Sequence, residues 1–450
     1  MGKPMAREIA LDVLLKIEKQ HAYSQLALNE AIEKQELKPQ DRALITQIVY
    51  GVLQWKKRLN YILENYVNSK RKRDDWVNLL LLISIYQKEF LSKIPDHAIV
   101  NEAVVIARKR GHQGISGFVN GVLRQYLRKG SPDLSKIEPE VTRQSIIYSH
   151  PEWLINQWTD DFGKEAALNI CKANNQPPTM TIRVNTLKQS KSELINQLSK
   201  EGIEAVEGEL SPYALVIKKG RILKSPLLQE GAFTVQDESS MLVADSVHAK
   251  PGMRVLDACA GPGGKTSHIA ELMENQGEIV AFDLHKHKTR LIDQHANRLG
   301  LSIIHTMALD AREAQTQFKN ESFDRILVDA PCTGLGVIRH KPEIKWEKKN
   351  TDVERIVKIQ QDIIQQVAPL LKKGGRLIYS TCTIDKRENE KVIYDFLSKN
   401  SEFEWEQEGM AHLPKKIKNN LIDDQSMVQI LPSDYGTDGF FICCLRRKKA

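Results

Sequence analysis

From residue 236 onward the chain alternates between apolar runs of strand length and stretches of helical period, with short turns between them. "MRVLDACA", "GEIVAFD", "SIIHTMALD", "FDRILVDA" and "GGRLIYSTC" read as strands; "GGKTSHIAELMEN", "KHKTRLIDQHANRLG" and "DVERIVKIQQDIIQQVAPLL" read as helices. Such alternation has few packing solutions, because each helix must bury one face against the sheet. The expected result is a doubly wound α/β domain with a mostly parallel sheet. Ligands of such sheets sit beyond the carboxyl ends of the strands, so the residues ending each run are the candidates for chemistry.

The rest of the chain is built differently. At 450 residues it exceeds one ordinary hydrophobic core. Residues 5–130 carry helical period throughout: "AREIALDVLLKIEK" sets Ile9, Val13 and Ile17 along one face, and strand-like alternation is absent. Two prolines in "KGSPDLSKIEPEV" close this block. Beyond them, "TMTIRVN", "YALVIK" and "AFTVQD" read as strands around a helix, "SKSELINQLSKEGI". The expected division is an all-helical domain over 1–140, a small α+β module over 141–235 and a Rossmann-like domain over 236–450.

Charge separates these parts further. Residues 1–140 hold 23 Lys and Arg against 16 Asp and Glu, whereas the remainder holds 42 against 41. A basic front end points to an anionic partner. The clusters "WKKR", "SKRKRDD" and "ARKRGH" are expected at helix ends or in short loops, within reach of phosphates. The amino terminus is charged and amphipathic rather than a signal peptide, and Ala6 breaks the myristoylation pattern. The most apolar stretch, "WVNLLLLISIY", is about half of the ~20 residues a membrane span needs. A cytoplasmic protein without membrane contact is expected, and a monomer. Its six cysteines form no CxxC pair and no cluster with histidine, so neither a disulfide framework nor a metal site is expected. Cys171, Cys443 and Cys444 read as packing residues.

The first strand of the α/β domain ends on "DACAGPGGKT". Gly261, Gly263 and Gly264 let backbone approach a ligand, and the helix that follows offers its N–H groups to an anion. The phosphate-loop pattern fails because Cys259 stands where its first glycine belongs, and the dinucleotide fingerprint lacks its third glycine. Two strand-end acids fit better. Asp283 lies 20 residues past Gly263, a spacing suited to ribose hydroxyls, and Asp310 is placed to accept from an adenine amino group. Ribose and adenine without a phosphate chain describe S-adenosylmethionine.

The next two strands end on cysteines, Cys332 in "DAPCTGLG" and Cys382 in "STCT", and both should converge on the same crevice. Cytosine C5 is too electron-poor to take a methyl group from a sulfonium directly. A thiolate adding to C6 makes C5 a nucleophilic enamine, with an acid near N3 and a base for the C5 proton. Asp329, three residues before Cys332, can supply the N3 contact. Spacing alone does not say which thiol attacks.

"DACAGPGGKT", "DAPCTGLG", "STCT" followed by "ENE", and "DGFFICCLRR" together resemble the RNA (cytosine-5)-methyltransferase family. "DRALITQIVYGVL", "NEAVVIARKRG" and "FVNGVLRQ" resemble the NusB-like RNA-binding domain that precedes certain bacterial 16S rRNA members. The resemblance implies Cys382 as nucleophile, Cys332 in product release, and a cofactor site lined by Cys259, Ala260, Gly261, Pro262, Gly263, Gly264, Lys265, Asp283, Asp310 and Asp329. DNA cytosine-5 methyltransferases use the other cysteine. The family usually has alanine where Gly261 stands, a change expected to leave binding intact. Gln236 and Asp237 match a family "QD", and "RHKPEIKW" a basic-proline-aromatic segment. A 16S rRNA substrate is implied; the motifs alone also admit tRNA. A non-catalytic RNA-binding or antitermination protein is the other alternative, disfavoured by retention of both cysteines and the strand-end aspartates.

Overall fold

A computed structural model describes residues 6–20, 22–68, 73–422 and 426–449. The first five residues, and residues 69–72 of the "SKRKRDD" cluster, lie outside the described residues. The described elements begin with helices α1 (Ala6–Gln20), α2 (Ser24–Glu33), α3 (Pro39–Glu64), α4 (Asp75–Phe90), α5 (Asp96–Arg110), α6 (Gln113–Lys129), α7 (Glu140–Ile147), α8 (Glu152–Phe162) and α9 (Lys164–Asn174). A mixed segment follows: β1 (Thr181–Val184), α10 (Lys191–Lys200), β2 (Glu204–Glu207), β3 (Ala214–Lys219), α11 (Pro226–Gln229), β4 (Phe233–Val235) and α12 (Glu238–Val247). Alternation then begins with β5 (Arg254–Asp257), α13 (Gly264–Leu272), β6 (Glu278–Asp283), α14 (Lys286–Leu299), β7 (Ile304–Ala308) and β8 (Phe323–Asp329). It continues through α15 (Ile344–Glu347), α16 (Asn350–Val367), β9 (Leu371–Thr381) and α17 (Glu390–Lys399) to β10 (Phe403–Trp405), β11 (Leu421–Ile422), β12 (Met427–Ile430) and β13 (Phe440–Arg447).

Packing divides the chain into two units. One holds the described residues up to Asn175 together with Ile338–Lys348; the other holds Gln176–Val337 and the chain from Lys349 onward.

The first unit follows from its residue period. Ile9, Val13 and Ile17 of α1 are buried, as their spacing requires. Helix α4 is largely apolar and is buried from Leu79 to Gln87, the central position in a bundle that such a helix takes. Helix α3 closes on it at Gly51, where an added Cβ would meet the Tyr86 ring at 2.0 Å. No described helix is long and apolar enough to cross a membrane. The basic clusters differ partly from expectation. "ARKR" does end α5, but "WKKR" lies inside α3, beside the non-helical backbone of Trp55. Helical period continues straight through those cations, and carboxylates answer them: Lys56 pairs with Glu18, Lys57 with Glu152 and Arg58 with Glu89.

The second unit contains two sheets. The smaller is antiparallel, in the order β2-β3-β1-β4. Its α10 opens on a capping box, Ser190 with Glu193. Strand β2 was not among the expected strands; "EAVE" is an exposed edge with no apolar alternation to announce it. The larger sheet runs β11-β12-β13-β9-β8-β5-β6-β7. Strands β5 to β9 pair in parallel, as expected of a Rossmann-like domain. Strands β10 to β13 pair antiparallel, so the sheet is mixed.

Alternation along the strands builds two cores. Leu377 and Tyr379 of β9, with Phe441 and Cys443 of β13, face α16 and α17; Ile378, Ile442 and Cys444 face α12 and α13. Burial pushes the Cys171 and Cys444 thiols up to about 12 and Cys443 well above its ordinary value. All three pack as apolar residues.

Candidate active site

The chain steps outward from β5 to β6 and β7, then returns to place β8 on the other side of β5 and β9 beyond it. A crevice opens where the winding reverses, at the carboxyl ends of β5 and β8. Register sets the ends of β8 and β9 side by side there. Asp329 of β8 pairs with Ser380 of β9. Three residues past the one and two past the other, Cys332 Sγ and Cys382 Sγ stand 3.4 Å apart.

Around the thiols lies a set of linked charges. Asp329 accepts from Lys265 Nζ at 2.7 Å and from Ser380 Oγ at 2.8 Å. Burial pulls the Lys265 ammonium down, but the charge and hydrogen bond of Asp329 outweigh it and leave the lysine above its ordinary value. Its ammonium also lies 4.9 Å from the centroid of the Phe440 ring. The hydrogen bond to Cys382, together with burial, pushes the Cys332 thiol well above its ordinary value. Cys332 therefore keeps its proton, and either sulfur can donate across the 3.4 Å contact. Burial, with Asp257, Asp329 and Asp283 nearby, holds Cys259 protonated as well.

The glycine turn is shaped for close approach. Gly263 has a φ of +103° and opens α13. A Cβ at Gly261 would meet Asp283 Oδ2 at 2.4 Å and Lys288 Cδ at 2.8 Å. Glycine here does more than permit: it lets Asp283 come up to accept the Gly261 N–H at 3.2 Å. Asp283 also accepts from the His285 N–H at 2.9 Å, and its side chain is nearly buried. Asp310 is gripped by Arg312, with a shortest contact of 2.6 Å, and that hydrogen bond holds its carboxyl below the ordinary range. Beneath the turn, Asp257 accepts from Thr266 Oγ1 at 2.7 Å, and burial pushes its carboxyl up to about 7.

Two cavities meet at this point. One, of about 390 Å³, is lined by Asp283, Asp310 and Cys332; the other, of about 280 Å³, by Ala260, Pro262, Gly264, Lys265 and Phe440. Cys259, Gly261, Asp329 and Cys382 line both. Gln236 and Asp237 of the "QD" pair line the smaller cavity. The sequence reading missed Ser380, Arg312, Lys288 and Asp257, although Asp257 ends β5. Arg312 was findable from its place two residues past Asp310; Ser380 depends on strand register. Among the described residues no group of three His, Cys, Asp or Glu side chains is arranged to hold a metal ion.

The family described as 16S rRNA methyltransferase RsmB/F matches residues 245–446, and the NusB family matches residues 4–128. A ferredoxin-like domain of the RsmF/B-like methyltransferases matches residues 150–223. The probable ribosomal RNA small subunit methyltransferase B of Bacillus subtilis (strain 168) is 49% identical over 448 residues, covering 100% of both chains. The chain belongs to this family. A second relative bearing the same description, from Synechocystis, is 33% identical over 98% of this chain and 99% of its own. The solved structure of PH0851 is similar at a TM-score of 0.84, with 28% identity, covering 99% of this chain and 100% of that one. NSun6 from Pyrococcus horikoshii, solved with SFG, gives a TM-score of 0.61 at 26% identity, covering 68% of this chain and 100% of that one. The family is one of S-adenosylmethionine-dependent RNA methyltransferases. Its three parts are a NusB-like helical domain, a ferredoxin-like module and an α/β methyltransferase domain.

Proposed function

We propose that the protein methylates C5 of a specific cytosine in 16S rRNA, with Cys382 as nucleophile. The observation that carries this reading is the pair of thiols 3.4 Å apart beside the Lys265–Asp329 ion pair. Methylation of an exocyclic amino nitrogen needs no thiol, whereas attack at C6 needs a sulfur held as an anion. A thiol donor from Cys332 and a nearby ammonium both favour the thiolate at Cys382.

S-Adenosylmethionine, when bound, supplies a methyl group on a sulfonium. The residues lining the larger cavity suit it: Asp283 for ribose hydroxyls, Asp310 for the adenine edge, and the turn at Cys259 and Gly261, which a Cβ at Gly261 would crowd. We assign the donor to the larger cavity, because Asp283 and Asp310 line it, and the flipped cytosine to the smaller; Cys382 and Asp329, which line both, then stand between the two. The thiolate of Cys382 bonds to C6 while N3 gains a proton. Asp329 holds the base edge, and Lys265, bonded to it, is the nearest proton source. The electrons released at C5 take the methyl group as its bond to the sulfonium breaks, leaving a thioether. Loss of the C5 proton to a base, with the N3 proton returned to its donor, then restores the C5–C6 double bond and breaks the C6–S bond, and the departing thiolate regains the hydrogen bond of Cys332. That is a physical reason for Cys332 to aid release.

RNA carrying 5-fluorocytosine tests this directly, because the C5 fluorine cannot leave as a proton and the adduct persists. A covalent complex mapped to Cys382, and its loss in Cys382→Ala along with turnover, is the expected result. Full turnover in that variant would refute the mechanism. The 16S assignment rests on the helical NusB-like domain and the names of the relatives. Bisulfite sequencing of 16S rRNA and tRNA from cells with and without the gene decides it.

A further inference from the structure

The "ENE" triplet, residues 388–390, takes no part in the chemistry above, yet two of its side chains bracket both thiols. Glu388 is fully buried, and burial raises its carboxyl above the ordinary range. A carboxylate in that position is costly unless its lone pairs are filled. They are filled from the residues next to the two cysteines. Thr333, after Cys332, donates its N–H to Oε2 at 2.9 Å and its hydroxyl to Oε1. Thr383, after Cys382, donates its hydroxyl to Oε1 at 3.2 Å. Gln360 Nε2 reaches Oε2 at 3.0 Å and also the carbonyl of Pro331, before Cys332, at 2.9 Å.

Asn389 completes the arrangement. It stands at the N-cap of α17, where an asparagine ordinarily accepts from the helix's own N–H groups, but its side chain makes no capping hydrogen bond. Its Oδ1 instead accepts from Thr381 Oγ1 at 2.6 Å, and its Nδ2 donates to the Thr383 carbonyl at 3.1 Å. Thr381 and Thr383 flank Cys382. Each cysteine is therefore held on both sides by a buried polar group that touches neither sulfur.

We propose that Glu388, Asn389 and Gln360 are positioning residues that fix the two thiols relative to one another, with Glu388 the shared node between the two cysteine loops. The inference rests on the covalent mechanism proposed above. The two loops meet the node through different threonines, whose hydroxyls also lie 3.1 Å apart, and each threonine acts first on the thiol beside it. Releasing Thr383 loosens the attacking thiol; releasing Thr333 loosens the thiol that assists departure.

The test compares Thr383→Val, Thr333→Val and Glu388→Gln with Thr383→Ser and Thr333→Ser in the full chain, on unmethylated small-subunit rRNA. Expected for Thr383→Val is adduct formation slowed about 10–100-fold, with KM for the methyl donor unchanged. Expected for Thr333→Val is adduct formed at the normal rate but lingering as a protein–RNA complex in denaturing gels. Glu388→Gln turns an amide against donors and should show both defects, while the two serine variants, which keep the hydroxyl, recover wild-type behaviour. Valine variants that form and release adduct like wild type would overturn the clamp, as would serine variants as impaired as the valines with equally lowered Tm. If wild type itself traps no 5-fluorocytosine RNA at Cys382, the underlying mechanism falls, and the clamp with it.

Discussion

Cys382 owes its place to close backbone contact as much as to side chains. Its carbonyl accepts the Gly336 N–H at 3.0 Å, and the Gly336 carbonyl in turn accepts the Gly439 N–H at 2.9 Å. A Cβ at Gly336 would lie 2.1 Å from the Gly439 oxygen and 2.8 Å from the Cys382 oxygen, and both are backbone atoms that cannot swing away. Gly336→Ala should therefore cost about 1–3 kcal/mol of stability by overpacking. Single-turnover methyl transfer should fall further than that loss alone explains, by about 10–100-fold through displacement of the thiol. Thermal unfolding beside single-turnover kinetics checks both. At this scale much was legible beforehand. Asp283 and Asp329 end β6 and β8 and Cys382 directly follows β9, whereas Asp310 and Cys332 lie two and three residues past the ends of β7 and β8. What pairs with them was not legible: the bond of Ser380 to Asp329 comes from register between neighbouring strands, and no spacing within one strand encodes it.

Among elements, the glycine turn is steadied from outside its own strand and helix. Arg183 of β1 is fully buried against the first turns of α13. It donates to the Gly264 carbonyl at 2.8 Å, to Ser267 Oγ at 2.9 Å and to both oxygens of Glu271 at 3.0 Å. Burial raises the Glu271 carboxyl, and Arg183 opposes that shift. Removing the arginine alone leaves a buried, unpaired carboxylate, so Arg183→Met should destabilise the second unit by ~3–5 kcal/mol. Adding Glu271→Met should restore much of that loss, as urea denaturation of the single and double variants would show. A single variant as stable as wild type would contradict this account. Arg183 was visible in the sequence only as the end of an alternating strand. Its partners on α13 lie more than 80 residues away, so only packing of the small sheet against α13 reveals them. The antiparallel strands β10 to β13 were likewise unread, because "DGFFICCLRR" looks the same to either face of a sheet until a neighbour sets its direction.

Across the whole molecule, the chain order of the motifs and their packing order differ. Ile338–Lys348 follows the Cys332 loop in sequence but packs within the helical unit. There Glu343 accepts from the Ser24 N–H at 3.0 Å, and Trp346 Nε1 donates to the Leu53 carbonyl at 2.6 Å. Lys345 Nζ reaches the Gln54 carbonyl at 2.7 Å, and burial brings its ammonium down to about 7. Below pH 7 folded and unfolded chains both carry the charge, and the burial cost is complete. Between about 7 and the ordinary lysine value of 10.5 the unfolded chain holds the extra proton, so stability rises with pH. The gain amounts to roughly 4–5 kcal/mol at most. Hydrogen-exchange protection of α3 and α4 amides at pH 6, 8 and 10 should show that rise, and Lys345→Met should flatten it. An equal slope in the variant would place the titration elsewhere. Period and turn chemistry settled by themselves that a basic helical front precedes an α/β domain, and where the parallel strands β5 to β9 and most of the helices between them fall. Those properties depend on neighbours a few residues apart. Tertiary structure alone decided that two sulfurs from separate strands meet at 3.4 Å, that a triplet beyond them brackets both, and that "RHKPEIKW" belongs to the helical unit. Contacts between distant segments depend on how faces pack, and local pattern carries no record of which faces those are.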